Sequence, residues 1–559
     1  MNDYQSTAEV AEFQARAATS HEETSYEAKK EGKKKQRRLM VKRSEPFNTA
    51  GTFCGQRAGK AAKALIRYRN TFYVWAGTHY RKADTEEVRR EIWRFLDKAW
   101  TNVKTDQGLE ERSFNPTPTD VTNVFDALLA RPEVEVSNHL AVPAWLPGAN
   151  PEWNRTRRPG DLLACKSNIL NMITGELWEP SPYFLTMNAV EYDYDPEATA
   201  PRFQRFLDEI FPGSLSDATP EQRDAMDDAQ RDMQRRRELV LEIFGYLLSG
   251  DLRQQKIFLF MGKKRSGKGT LARVLKQLLG PENVIGMDLE EIGETFGMED
   301  MIDKTTAIIG DARLEGRGAH KLVTRLLSIS GQDAITVNRK NEKKWHGTLG
   351  VRFLILTNPL LHFTDASGVI ASRFIPVQFT ESFEGRENTG LTEELLEELP
   401  GILNLAMQGL RRLRERGYFE LPASSEAAID RILRKAAPIF GFIDDRAELG
   451  ADYSETREKM FEEYCAWADD NKHKPMTKTS LVSALEDANP SIKCMRPRAA
   501  EGEKRSYRFF GIRLRRPQDA RQAKSPMEEA AEVIDIESRR AWPPQLGRVQ
   551  SNTAPPTPC

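Results

Sequence analysis

The stretch Gly262-Lys263-Lys264-Arg265-Ser266-Gly267-Lys268-Gly269-Thr270 combines glycines, a lysine and hydroxyls at the spacing of a phosphate-binding loop. It follows an apolar strand, Lys256 to Met261, and opens an apolar helix, Leu271 to Leu279. Glycines let backbone N–H groups turn inward around the β- and γ-phosphates of a nucleotide. The helix N-terminus adds partial positive charge, and Lys268 neutralises the group being transferred. The expected nucleotide contacts are therefore Gly262, Ser266, Gly267, Lys268, Gly269 and Thr270. A solvated lysine on a glycine-rich turn is the bland alternative, and the order strand, loop, helix speaks against it. Gly269 stands where a hydroxyl residue usually follows the lysine, which leaves Thr270 as the nearest hydroxyl for Mg²⁺.

A second buried strand, Thr305 to Ile309, delivers Gly310 and Asp311 at its carboxyl end, the edge where a parallel sheet holds its ligand. Asp311 is expected to hold Mg²⁺ through water, the alternative being an exposed loop aspartate. No second acidic residue adjoins Asp311, so the group that orients an attacking water has no candidate in the sequence. The apolar run Val351 to Leu356 ends at Thr357-Asn358-Pro359, where Asn358 either meets the γ-phosphate or its water or caps a turn. Two strands around a basic tip predict a hairpin carrying Arg339, Lys340, Lys343 and Lys344. Such a tip can grip a nucleic-acid backbone, which needs positive charge but no base-specific geometry; otherwise it is a solvated turn. Arg373 is read as opening a strand. It either reaches a neighbouring subunit's nucleotide, an effect worth about 10³ to 10⁵ in rate, or makes an ion pair within its own chain.

These residues need a large framework. The chain has 559 residues, 39% hydrophobic and 30% charged, with a mean hydropathy of -0.59, which describes a protein of several folded units. Its net charge of -1 excludes a uniformly basic nucleic-acid coat but allows a local basic site. No uncharged apolar run approaches the roughly 18 residues of a membrane helix, and no secretion signal is recognisable, so a membrane role is excluded and a cytoplasmic location expected. Cys54, Cys165, Cys465, Cys494 and Cys559 form no CxxC pair, which gives neither a zinc site nor a disulfide framework.

Residues 1–45 and 516–559 read as tails, the first basic and the second Pro-rich. Residues 46–250 are expected to be mostly helical, with a hairpin at Asn70 to Tyr80 and an amphipathic helix from Glu86 to Trp100. A long helix is expected from the N-cap Thr219 to Gly250. Strands alternating with helices over 251–400 predict a parallel α/β sheet. Residues 401–450 read as a helical connector, and in 451–515 two helices followed by two strand-like runs suggest a winged helix.

Several motifs in one order resemble superfamily 3 helicases, specifically the C-terminal helicase half of phage and plasmid primases and poxvirus-type primase-helicases. They are the GKGT loop around Lys268, the Asp311 strand, the SGQD and RK segment from Ser330 to Lys340, the TN pair ending at Asn358, and the SRF triplet holding Arg373. Upstream, Ser167 to Leu177 and Tyr192 to Pro196 look like the family's helicase-associated domain, so the resemblance runs over about residues 46 to 515. It implies an AAA+-like P-loop ATPase core in a hexameric, ATP-driven ring that encircles single-stranded DNA and moves 3′ to 5′. Lys268 and Thr270 would hold ATP, Asp311 would hold Mg²⁺, and Asn358 would be the polar sensor. Arg373 would be a finger in trans, with Arg339 and Lys340 in the central channel. The N-terminal tail is too short for a primase domain, so priming is expected from a separate primase or polymerase.

The leading expectation is a replicative DNA helicase of a phage, prophage or plasmid, acting on single-stranded and forked DNA as a homo-oligomer. An initiator or loader whose ATPase never unwinds duplex is the alternative. A nucleotide kinase also carries GKGT but leaves the basic hairpin, Arg373 and the C-terminal unit without a role.

Overall fold

A computed structural model describes residues 38–58, 63–106, 108–215, 219–310, 319–340, 342–358, 369–436, 438–471, 473, 475–497 and 506–515. The chain divides into two compact units, 1–140 with 181–183, and 141–180 with 184–559.

In the first unit, helix α1 (Pro46–Ala58) precedes strands β1 (Leu65–Tyr68), β2 (Thr71–Trp75) and β3 (Tyr80–Ala83). Helix α2 (Thr85–Asp97), the ribbon β4 (Trp100–Thr105) and β5 (Gly108–Ser113), helix α3 (Pro118–Leu129) and β6 (Glu135–Val136) follow. The sheet order is β3-β2-β1-β6. Arg69 and Asn70, both at positive φ, make the tight turn between β1 and β2, and β2 returns to β3 with Trp75 opposite Tyr80, the expected hairpin. Thr117 caps α3 in a box with Asp120, and Pro118 occupies its first turn. Val41, Phe53, Phe72, Val88, Ile92, Leu96, Val124 and Leu128 close one core.

Two expectations change here. Residues 38–45 belong to the fold rather than to a tail: the Val41 N–H donates to the Trp100 carbonyl at 2.8 Å, and Val41 is buried. Residues 46–250 are not mostly helical. Short strands, several only two or three residues long, fall below the length at which a period of two separates from helical spacing.

The second unit opens with small antiparallel pieces: β7 (Ala144–Trp145), helix α4 (Pro151–Thr156), β8 (Leu162–Ala164), β9 (Ile169–Asn171), β10 (Leu177–Trp178) and β11 (Phe184–Leu185). Helices α5 (Pro201–Ile210), α6 (Pro220–Asp224) and α7 (Asp228–Leu248) follow. The single long helix expected from Thr219 is two. Thr219 caps only α6, and Asp227 starts α7 with its own capping box to Gln230.

The central sheet has the order β13-β14-β17-β12-β18, all parallel: β12 (Ile257–Gly262), β13 (Val284–Met287), β14 (Thr306–Ile309), β17 (Arg352–Thr357) and β18 (Phe374–Phe379). Helix α8 (Lys268–Leu279) follows β12, and α9 (Ala319–Ser330) follows β14. The small hairpin β15 (Ile335–Val337) and β16 (Trp345–Gly347) and the short α10 (Val369–Arg373) complete this region. Alternate residues of β12 enter opposite cores, Phe258 and Phe260 on one face, Ile257 and Leu259 on the other, as a parallel strand covered on both sides requires. This is a mixed α/β structure with many helices, and among the described residues no sheet closes into a barrel.

Helices α11 (Leu391–Leu396), α12 (Leu399–Arg416) and α13 (Ala423–Ala436) come next. The crossing of α7 and α12 is so close that an ideal Cβ at Gly409 falls 2.4 Å from the Leu241 carbonyl oxygen, so only glycine fits. One core runs from Leu163 through α7, β12 and α8 to Phe419. The expected boundaries at 250 and 400 are therefore crossed by packed side chains and do not separate folding units.

The C-terminal module begins at helix α14 (Pro438–Arg446), earlier than the expected 451, because Ile439, Phe442 and Ile443 bury into it. It adds β19 (Ala447–Thr456), α15 (Arg457–Asp470), α16 (Lys478–Ala488), β20 (Lys493–Met495) and β21 (Arg508–Leu514), with the antiparallel order β19-β21-β20. Residues 1–37 and 516–559 lie outside the described residues. No helix among the described residues is long and apolar enough to cross a membrane.

Candidate nucleotide site

The loop between β12 and α8 is shaped by two glycines. Gly262 has φ 153°, and an ideal Cβ there falls 2.1 Å from the Phe379 carbonyl oxygen. Gly267, the N-cap of α8, has φ 89°, with Ile210 Cγ2 2.8 Å from the same test atom. Any side chain at either place meets both left-handed strain and a neighbour. The loop is braced from outside by the Phe383 N–H, which donates to the Arg265 carbonyl at 2.8 Å, and by Ser382 Oγ, which donates to the Lys264 carbonyl at 3.2 Å.

Inside the loop, Lys268 Nζ donates to the Gly262 carbonyl at 2.9 Å, the Lys263 carbonyl at 2.6 Å and Ser266 Oγ at 3.1 Å. Lys268 and Ser266 are both buried. Burial pushes the Lys268 ammonium below the usual lysine range. A cation, a hydroxyl and the first amides of α8, which have no acceptor within the helix, thus converge on one small volume. That donor set suits a polyphosphate. It does not suit a metal held by protein alone, and no cluster of three His, Cys, Asp or Glu is present among the described residues.

Thr270 is already engaged. Its Oγ1 accepts from Arg273 Nη2 at 3.1 Å, and Arg273 Nε donates to Thr392 Oγ1 at 3.2 Å. To become a Mg²⁺ ligand, Thr270 has to give up a cationic donor. Gly269 is exposed and its test atom meets only Arg273 Nη1, at 3.5 Å. Sequence reasoning missed Arg273, although its spacing of three from Thr270 on one helix was available.

The strand register decides which of the other expected residues join the loop. Met261 pairs with Thr357, so exposed Asn358 follows β17 directly beside Gly262. Ile309 pairs with Ile355, so β14 releases Gly310 at the same edge, two strands and about 10 Å from β12. Asp311 lies outside the described residues.

Arg373 stands at the other edge. It closes α10 rather than opening a strand, because Ile370 and Ala371 bury in a short helical turn. Phe374 then pairs with Ile257, at the far end of β12 from the loop, about 17 Å along the strand. Arg373 Nη1 donates to Gln255 Oε1 at 2.5 Å and to the Gln255 carbonyl at 3.3 Å. Burial lowers its pKa and the Asp333 carboxylate opposes that shift. It does not reach the β12–α8 loop of its own chain.

The basic tip is a hairpin of β15 and β16, with Val337 opposite Trp345. Arg339 departs from expectation. It is 11% exposed and faces the carboxylates of Glu299, at 3.8 Å, and Glu342. Glu299 also accepts from the Lys340 N–H at 3.0 Å, so this carboxylate anchors the tip from below. Lys340, Lys343 and Lys344 are exposed and carry the tip's available charge.

Residues 57–212 match a family described as D5 N terminal like, and residues 260–373 match a family of unknown function, DUF5906, whose span opens in β12 and closes on Arg373. Among solved structures, the apo structure of the NrS-1 C terminal region (305-718) covers 84% of this chain and 99% of that one, at 12% identity and TM-score 0.43. The A form apo structure of the NrS-1 C terminal region covers 82% and 98%, at 12% identity and TM-score 0.42.

Proposed function

We propose that the chain is a phage-type primase-helicase replication protein that hydrolyses ATP to move along single-stranded DNA. The observation that carries the reading is the Lys268 ammonium, held among the Gly262 and Lys263 carbonyls and Ser266 Oγ at the carboxyl edge of a parallel sheet. The D5 N terminal like match supports a replication protein of this type, since it falls on the stretch upstream of the loop where the resemblance puts a helicase-associated domain.

In this reading the triphosphate supplies the anhydride whose cleavage drives movement. Lys268 exchanges its carbonyl partners for phosphate oxygens, the α8 amides and Ser266 orient the chain of phosphates, and Asn358 holds a polar contact beside Gly262. Thr270, once released by Arg273, and Asp311 would hold Mg²⁺, which would offset the charge of the phosphates. Lys340, Lys343 and Lys344 track DNA phosphates, while Arg339 keeps the tip in shape through Glu299 and Glu342. The C-terminal module, three helices on a three-stranded sheet, is a winged-helix-like DNA-binding domain. The ring is a homo-oligomer, six copies by the resemblance, moving 3′ to 5′.

Arg373 acts only across a boundary between copies, since its strand end is remote from its own loop. Mixing Arg373→Ala with Lys268→Ala subunits is expected to restore part of the ATPase that each lacks alone, because some junctions then pair an intact loop with an intact arginine. Mixed assemblies with no recovery would return Arg373 to a structural bond with Gln255. The triple variant Lys340→Ala, Lys343→Ala, Lys344→Ala should lower the salt slope of single-strand binding by about two. An unchanged slope would make the tip a solvated turn.

ATPase stimulated by single-stranded DNA and not by mononucleotides separates this reading from a kinase. Opening of a forked duplex separates it from a loader.

A further inference from the structure

Helix α2 of the first unit buries Val88, Ile92, Phe95 and Leu96 and turns a different set outward. Arg90, Trp93, Arg94 and Lys98 are all exposed, Trp93 to 41%, a large area for an indole. Other cations nearby are occupied: Arg81 bonds Glu87, and Arg89 donates to Thr122 Oγ1 at 2.9 Å and lies over the Phe125 ring. Arg90, Arg94 and Lys98 make no ion pair or side-chain hydrogen bond among the described residues. Nor do the exposed carboxylates of Glu86 and Asp97, which bound the stripe at its ends.

Three like charges at successive i,i+4 positions repel one another along a helix. The favourable place of cations near a helix C-terminus accounts for Arg94 and Lys98 but not for Arg90, and not for the bare indole between them. A stripe of cations about 6 Å apart along the axis, with an aromatic face beside it, is the pairing that single-stranded polynucleotides use: phosphates on the charges, a base on the ring.

We propose that the outer face of α2 is a single-strand binding track, with Trp93 stacking a base and Arg90, Arg94 and Lys98 holding its phosphates. It rests on the reading of this protein as DNA-acting and assigns a contact to the D5 N terminal like region, outside the ATPase sheet. An acidic protein partner would satisfy the cations equally, and the exposed ring beside them favours bases.

The test uses the full chain and a fluorescein-labelled oligo-dT, read by anisotropy over a salt series, with ATPase measured in parallel. Trp93→Ala should weaken binding about five-fold or more, while Trp93→Phe keeps most of it because an aromatic face remains. The triple variant Arg90→Ala, Arg94→Ala, Lys98→Ala should lower the salt slope by about two. ATPase without DNA should stay at the wild-type level in all three variants. If the wild type neither binds oligo-dT nor responds to it, the underlying reading fails. If the wild type does both and the α2 variants match it, the track alone is overturned. Full oligo-dT affinity in Trp93→Ala, with heparin displacing DNA from it as from wild type, would reduce the face to a generic anion surface and overturn the stacking role. Variants that bind DNA normally but lose self-association would assign the face to a protein contact instead.

Discussion

With ATP cleaved at the β12–α8 loop as proposed, Lys268→Ala is expected to drop turnover by at least about 10²-fold while the protein stays folded, because one buried cation is removed from the point where negative charge develops. The substitution leaves the Gly262 and Lys263 carbonyls and Ser266 Oγ without their shared donor, a local loss that the bracing at Arg265 and Lys264 contains. Thermal unfolding separates the two effects. In wild type, ATP at 100 times its Kd should add about 2.7 kcal/mol of stability, and in Lys268→Ala most of that increment should vanish at the same concentration. A variant that hydrolyses ATP at near-normal rate would sink the assignment of the loop.

The same lysine gives ATP binding a pH signature. Burial holds its pKa below the ordinary value in the free protein, and a phosphate partner raises it again, so binding takes up protons between the lowered free-state value and the raised bound-state one. Below the lowered free-state value, affinity should be flat with respect to Lys268. It should fall as pH rises past the lowered free-state value, a decline that Lys268→Ala does not show.

Arg352→Met is expected to destabilise the second unit by about 1–3 kcal/mol. Arg352 opens β17 and is 5% exposed. Its Nη1 donates to the carbonyls of Tyr246 at 2.8 Å and Ser249 at 2.5 Å, and its Nε to Thr305 at 3.2 Å. Tyr246 and Ser249 are the last turn and the C-cap of α7, so a buried cation meets the negative end of that helix. Burial lowers its pKa, against the pull of Tyr246 and Asp251. Methionine fills much of the volume but takes the donor from the Ser249 carbonyl in an apolar setting, while the Thr305 carbonyl keeps the backbone N–H of residue 352 at 3.0 Å and the Tyr246 carbonyl keeps Ser249 Oγ at 2.8 Å. Arg352→Lys should fall between the two, since an ammonium keeps the charge but not the guanidinium's spread of donors. Urea unfolding measures it, and a loss under about 1 kcal/mol in Arg352→Met would refute the argument. Because β17 delivers Asn358 to the loop, ATPase should fall with stability.

Much of the candidate site was legible because it is local. Strand, loop and helix around Lys268 follow one another in the chain, and the run Val351 to Thr357 announces both its strand and the Asn358 that ends it. The central sheet was readable from its near-continuous apolar runs, which a strand covered on both faces needs. Residues 46–250 were read less well. Their short strands sit below the length at which periodicity speaks, and the capping signal at Thr219 was correct but belonged to a five-residue helix.

By itself the sequence determined the glycine-rich loop between β12 and α8, the strand that carries Asn358 and the charge of the basic tip, because each is set by neighbours within a few positions. Only the tertiary structure decided that Arg373 lies at the far edge of the sheet on Gln255, that Arg339 answers Glu299 and that Arg352 closes α7. Most of those partners lie tens to more than a hundred positions away. Strand register and helix packing choose them, and a one-dimensional pattern carries no record of which distant carbonyl or carboxylate folding will bring into contact.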